Sequence, residues 1–136
     1  METSNIEARR KTEEAAARAT AMHAADAALD NKAENVTILD VRGKIDYADY
    51  IVIAGGRSER HVNGIAERIQ RAVRTDLRVH CNAIEDLPQG RWALLDFGDV
   101  IVHIFHEDAR GYYDLENLWM DATRVPCNVS PSLDDA

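Results

Sequence analysis

Asp96-Phe97-Gly98 spells the magnesium-binding tripeptide of protein kinases. A kinase also needs a glycine-rich ATP loop, a catalytic-loop His-Arg-Asp and a strand lysine, and none of these accompanies it. Gly55-Gly56-Arg57-Ser58 stands just ahead of a helical pattern, where backbone N–H groups and the helix dipole favour an anion. Without a P-loop lysine and a metal-binding acid at the right spacing, the stretch reads as a tight turn followed by a cap. Asp46 with Asp49, or Asp96 with Asp99, are the candidate carboxylate pairs for metal-assisted nucleotidyl transfer. Such a site wants acids at i and i+2 on one strand face, and neither pair has that spacing. His103 and His106, and likewise His61 and His80, lack the HExxH or cysteine-pair context of a zinc site. Cys81 and Cys127 have neither metal-ligand spacing nor the density of a secreted disulfide scaffold, so both are expected as reduced thiols. No cofactor and no metal is expected.

Six of these residues, Asp96, Phe97, Gly98, Asp99, His103 and His106, lie on one stretch, WALLDFGDVIVHIFH at residues 92–106. Two apolar runs flank Gly98-Asp99, a dipeptide suited to a two-residue hairpin turn whose first position needs positive φ. With that turn, Phe97 faces Val100, Asp96 faces Ile101, Leu95 faces Val102, Leu94 faces His103 and Trp92 faces Phe105. Alternation then sorts the side chains. One face holds Ala93, Leu95, Phe97, Val100, Val102 and Ile104, all without polar side-chain atoms, and is expected in the core. The other holds Trp92, Leu94, Asp96, Ile101, His103 and Phe105, aromatic anchors beside a few polar groups, the composition of an interface hot spot. The spacing leaves open whether a partner or a final helix, with Trp119 on Trp92, covers this second face.

The remaining elements follow from periodicity. Residues 1–34 are rich in Ala, Glu and Arg without Pro or Gly and are expected as an N-terminal helical segment. Ala15, Ala19, Met22, Ala25 and Leu29 form its apolar stripe, thin enough to dock lightly. Residues 36–41 read as a strand, with an exit at Arg42-Gly43-Lys44. Residues 50–54 form a nearly continuous apolar run, as expected of a central strand covered on both sides. Ser58 is the expected N-cap of a helix whose period runs through Val62, Ile65, Ala66, Ile69, Ala72 and Val73. Gly64 within it implies close packing. A shorter strand at residues 79–84 and a loop at 85–91 lead into the hairpin. Tyr112, Leu115, Leu118 or Trp119, and Ala122 mark a final helix, and residues 123–136 are expected as a disordered tail. The fold class is α/β: a single mixed sheet of about five strands packed with helices, in one domain at residues 35–122.

At 136 residues the chain is long enough to bury one core without disulfides or metal. The sequence holds no apolar run approaching the roughly 20 residues that span a bilayer. The acids Glu2, Glu7, Glu13 and Glu14 argue against an organelle transit peptide. A cytoplasmic location is the expectation. The net charge of −8 opposes a large nucleic-acid footprint and suits a basic protein surface as partner.

Three segments carry a resemblance. DYADYIVIAGGRSERHVNGIA (46–66), GRWALLDFGDVIVHIFHEDAR (90–110) and YYDLENLW (112–119), in this order and spacing, resemble the ribosomal silencing factor, or Iojap-like, family. The resemblance covers about residues 35–122. It implies a nucleotidyltransferase-like topology without catalysis, and a factor that binds the fourteenth protein of the large ribosomal subunit. There it would block docking of the small subunit and lower translation when nutrients are scarce. The family's contacts with that protein map onto Trp92, Leu94, Leu95 and Asp96, and the shared face adds Ile101 and His103. The sequence departs from the family pattern at Gly55 and Arg57, where small polar residues are usual. The alternative is a nucleotide-binding, nucleotidyltransferase-like enzyme using residues 55–58 and the nearby acids. The aromatic face also admits a homodimer off the ribosome.

Overall fold

The computed structural model describes residues 2–86, 92–107 and 123–126. The expected final helix, with Tyr112, Leu115, Leu118, Trp119 and Ala122, lies outside them, as do Cys127 and the rest of the tail. The elements run α1 (Glu2–Asp30), β1 (Glu34–Asp40), β2 (Tyr50–Gly56), α2 (Glu59–Leu77), β3 (Ala83–Asp86), β4 (Trp92–Asp96), β5 (Val100–His106) and β6 (Thr123–Val125). The strands form one mixed sheet in the order β3-β4-β5-β2-β1-β6. Among the described strands only β2 and β5 pair in parallel; the other neighbours are antiparallel.

β2 is central because its apolar run satisfies both faces, as the sequence predicts. Tyr50, Val52 and Ala54 join the core beneath α1 and α2, whereas Ile51 and Ile53 join a second cluster on the opposite face. The run extends beyond the expected end, since Gly55 and Gly56 pair with Phe105 and His106 instead of turning. Close approach explains both glycines. A Cβ on Gly56 would lie 2.8 Å from Val62 Cγ2 and 3.1 Å from its backbone nitrogen, and one on Gly55 would strike the Glu107 carboxylate. The turn falls at Arg57, and Ser58 caps α2 as expected, its Oγ accepting the His61 N–H at 3.0 Å.

α2 buries Val62, Ile65, Ala66, Ile69 and Val73, the predicted stripe with Ala72 at its margin. Gly64 does face a close neighbour: a Cβ there would lie 3.2 Å from Asn31 Nδ2 at the end of α1. α1 docks differently from its expected stripe. Its buried positions are Ala17, Thr20, Ala21, Ala24, Ala25, Ala27 and Ala28, whereas Ala15 is exposed and Met22 and Leu29 are half-buried. Alanines occur all round this helix, so periodicity did not single out a face. The fully buried positions hold only small side chains, with Met22 and Leu29 packed at their margin, which lets the helix sit close on β1, β2 and α2. The helix is thus an integral wall of the core over its second half.

Two further departures have local causes. The strand expected at residues 79–84 forms at Ala83–Asp86, because its partner ladder ends where Asp96 meets Ala83 and the next residues of β4 enter the hairpin turn. Part of the expected tail is a strand: β6 pairs with β1, placing Val125 opposite Ile38, and Val125 is buried in the main core. Among the described residues the sheet therefore has six strands, where about five were expected.

Candidate docking face on the hairpin

The hairpin forms in the predicted register. Trp92 faces Phe105, Leu94 faces His103, Leu95 faces Val102 and Asp96 faces Ile101. The Phe97 N–H donates to the Val100 carbonyl at 2.9 Å, and Gly98 adopts φ +93°, a value that favours glycine. The Asp96 side chain closes the turn, its Oδ1 accepting the Gly98 N–H at 2.8 Å. The Asp99 carbonyl accepts the N–H groups of Asp49 and Tyr50, fastening the turn to the start of β2.

All six apolar residues assigned to one face lie in the core beneath the helices. The opposite face carries Trp92, Leu94 and Asp96, each half-buried, with Ile101, His103 and Phe105 buried beside them. Phe105 packs with Leu39, Val41, Ile51 and Ile53, and Ile45 and Trp92 border that cluster. The Trp92 indole lies over Phe105 with ring centroids 4.8 Å apart and 5.5 Å from His103. Its Nε1–H donates to His103 Nδ1 at 3.1 Å. An accepting Nδ1 places the imidazole hydrogen on Nε2.

Of the predicted site residues, Trp92, Leu94 and Asp96 share the partly exposed surface. Leu95 does not. It is 0% exposed and points to the helix side, because strand neighbours alternate. Its role is to hold β4 against the core. Ile101 and His103 belong to the correct face but are each only 7% exposed, so they support the surface more than they form it. Phe105, absent from the family contacts mapped onto this sequence, is the residue on which Trp92 rests. The alternation signal had already placed it there.

Burial pushes the His103 pKa from its ordinary 6.5 to about 4, so the imidazole is neutral at neutral pH. The depressed folded value fixes the sign of the pH effect. The contribution to stability is complete above the unfolded pKa and fades as pH falls toward the folded value, a loss of about 3 kcal/mol. Urea melts should show this decline between pH 7 and pH 4, and His103→Gln should remove most of it; equal slopes in the two proteins would contradict the assignment.

The other chemical candidates take structural roles. His61 Nδ1 accepts the Arg57 N–H at 2.9 Å and its Nε2 reaches the Asn31 carbonyl at 2.7 Å, joining the start of α2 to the end of α1. The Arg57 and His61 N–H groups of this turn thus have acceptors within it. Asp49 has its carboxyl raised, first by burial and then by the neighbouring Asp99 charge. Among the described residues no three His, Cys, Asp or Glu side chains are grouped to hold a metal ion. Nor is any described helix long and apolar enough to cross a membrane.

Residues 13–135 match the family model described as ribosomal silencing factor during starvation. The chain is 42% identical over 102 residues to ribosomal silencing factor RsfS of Halalkalibacterium halodurans, covering 75% of this chain and 86% of that protein. It is 43% identical over 99 residues to RsfS of Bacillus subtilis, covering 73% and 83%. A crystal structure of a Chromobacterium violaceum protein superposes with a TM-score of 0.72 at 28% identity, covering 84% of this chain and 93% of that one. On this evidence the chain belongs to the ribosomal silencing factor family.

Proposed function

We propose that the protein binds the large ribosomal subunit through its fourteenth protein and sterically blocks joining of the small subunit, repressing translation under nutrient limitation. The observation that carries this reading is the hairpin face, where Trp92, Leu94 and the half-buried acid Asp96 follow one another along the same side of β4, paired to β5. A rigid aromatic and aliphatic surface beside a charged specifier is the make-up of a protein-docking hot spot. The net charge of −8 steers the chain toward a basic ribosomal protein. A regulatory factor of this kind needs no active site. The space above Gly56 and Gly55 is taken by Val62 and the Glu107 carboxylate, which argues against a nucleotide cradle there.

The test is pelleting through a sucrose cushion with separated subunits. The full chain should co-sediment with large subunits and not with small ones, and preincubation should reduce the yield of joined ribosomes when the two are mixed. Binding to small subunits alone, or joining that proceeds undiminished with the factor bound, would overturn the reading.

A further inference from the structure

We propose that His103 is a positioning residue for the docking face: its imidazole holds the Trp92 indole over Phe105, so the aromatic surface is set before a partner arrives. The inference rests on the docking reading for its consequence, but its geometry stands in the free protein.

An indole N–H is a donor only and needs an acceptor wherever it is partly withdrawn from water. On this face of the hairpin Leu94, Ile101 and Phe105 offer none, and Asp96, four residues along β4, accepts from the Gly98 N–H in the turn. His103 Nδ1 is 3.1 Å from Trp92 Nε1, diagonally across the β4–β5 ladder. The imidazole is itself fixed, being 7% exposed and stacked at 13° on Phe105 with centroids 6.1 Å apart. Trp92, His103 and Phe105 therefore form a closed triangle of rings, with centroid separations of 5.5, 4.8 and 6.1 Å. Two sides of that triangle meet at the tryptophan. With its two torsions held, the indole loses little conformational freedom on docking, which is how preorganisation raises affinity. A leucine at position 103 would keep the bulk but not the acceptor, and a glutamine would restore a carbonyl oxygen.

Indole and imidazole ¹⁵N resonances of the full chain test this directly, with the Trp92 signal assigned by Trp92→Phe. In the wild type at neutral pH, His103 should be the Nε2–H tautomer and the Trp92 indole hydrogen should exchange slowly with water. In His103→Leu, exchange should rise at least tenfold, and in His103→Gln it should return toward the wild-type rate. Large-subunit affinity should follow the same order, about tenfold weaker for leucine and within about threefold of wild type for glutamine. An Nδ1–H tautomer in the wild type overturns the proposal without any variant having to fold. So does unchanged affinity in His103→Leu when Trp92→Ala abolishes binding. If Trp92→Ala leaves binding intact, it is the docking reading that fails, and the slow indole exchange still supports the clamp.

Discussion

Phe105→Ala should lower the free energy of unfolding by about 3 to 5 kcal/mol, the range for emptying a fully buried aromatic site. Phe105 is 1% exposed and forms the heart of the smaller cluster with Leu39, Val41, Ile51 and Ile53. Its β2 partner in the parallel ladder is Gly55, which has no side chain to move into the space. The Trp92 indole would also lose the ring on which it lies. Since a domain of this kind is stable by about 5 to 15 kcal/mol in total, the variant should melt much earlier in urea. Its far-UV circular dichroism under native conditions should be unchanged. A loss below about 1 kcal/mol would mean that this face is looser than its packing implies.

Asp96→Arg should remove co-sedimentation with large subunits. Reversing a charge that meets a basic partner both loses an attractive pair and places like charges together, and disrupting a buried, hydrogen-bonded pair costs about 2 to 5 kcal/mol, or tens to thousands-fold in affinity. Asp96 has a second function that must be separated from the first, because its Oδ1 accepts the Gly98 N–H in the hairpin turn. Asp96→Asn separates them. The amide oxygen keeps the turn acceptor while the charge is gone, so this variant should fold like the wild type and bind with intermediate affinity. If Asp96→Arg still pellets with large subunits, the partner does not meet this acid; if Asp96→Asn unfolds, the residue's role is in the turn.

The hairpin was legible in the sequence to the residue, because Gly98-Asp99 fixes the turn and the period of two then dictates every cross-strand pair. The continuous apolar run at residues 50–54 likewise marked β2 as a central strand covered on both sides. The period of two also shows why Leu95 cannot share a surface with Leu94 and Asp96, even though the family resemblance had grouped them. α1 was harder to read, since a helix with alanine on every side has no apolar contrast, and its docking face is chosen by closeness of approach. The extent of β3 depended on where β4 turns away, and β6 on a ladder with β1, and neither is a local property of its own residues. The Trp92–His103 hydrogen bond needs side-chain rotamers as well as register, so the sequence placed both residues on the face without joining them.

The parallel pairing at the centre of the sheet bears on how the chain reaches its native state. β2 obtains its partner on one side from β1, a local neighbour in sequence, but on the other only from β5, with Tyr50 opposite Val100. The hairpin of β4 and β5 needs only a short loop closure, whereas the β2–β5 ladder must close over α2, β3 and β4. During synthesis the inner edge of β2 stays unpaired until the hairpin has left the exit tunnel. The β2–β5 ladder is thus a long-range closure of the kind that slows folding, and Trp92, Leu94 and Asp96 reach their places only with the hairpin that completes it.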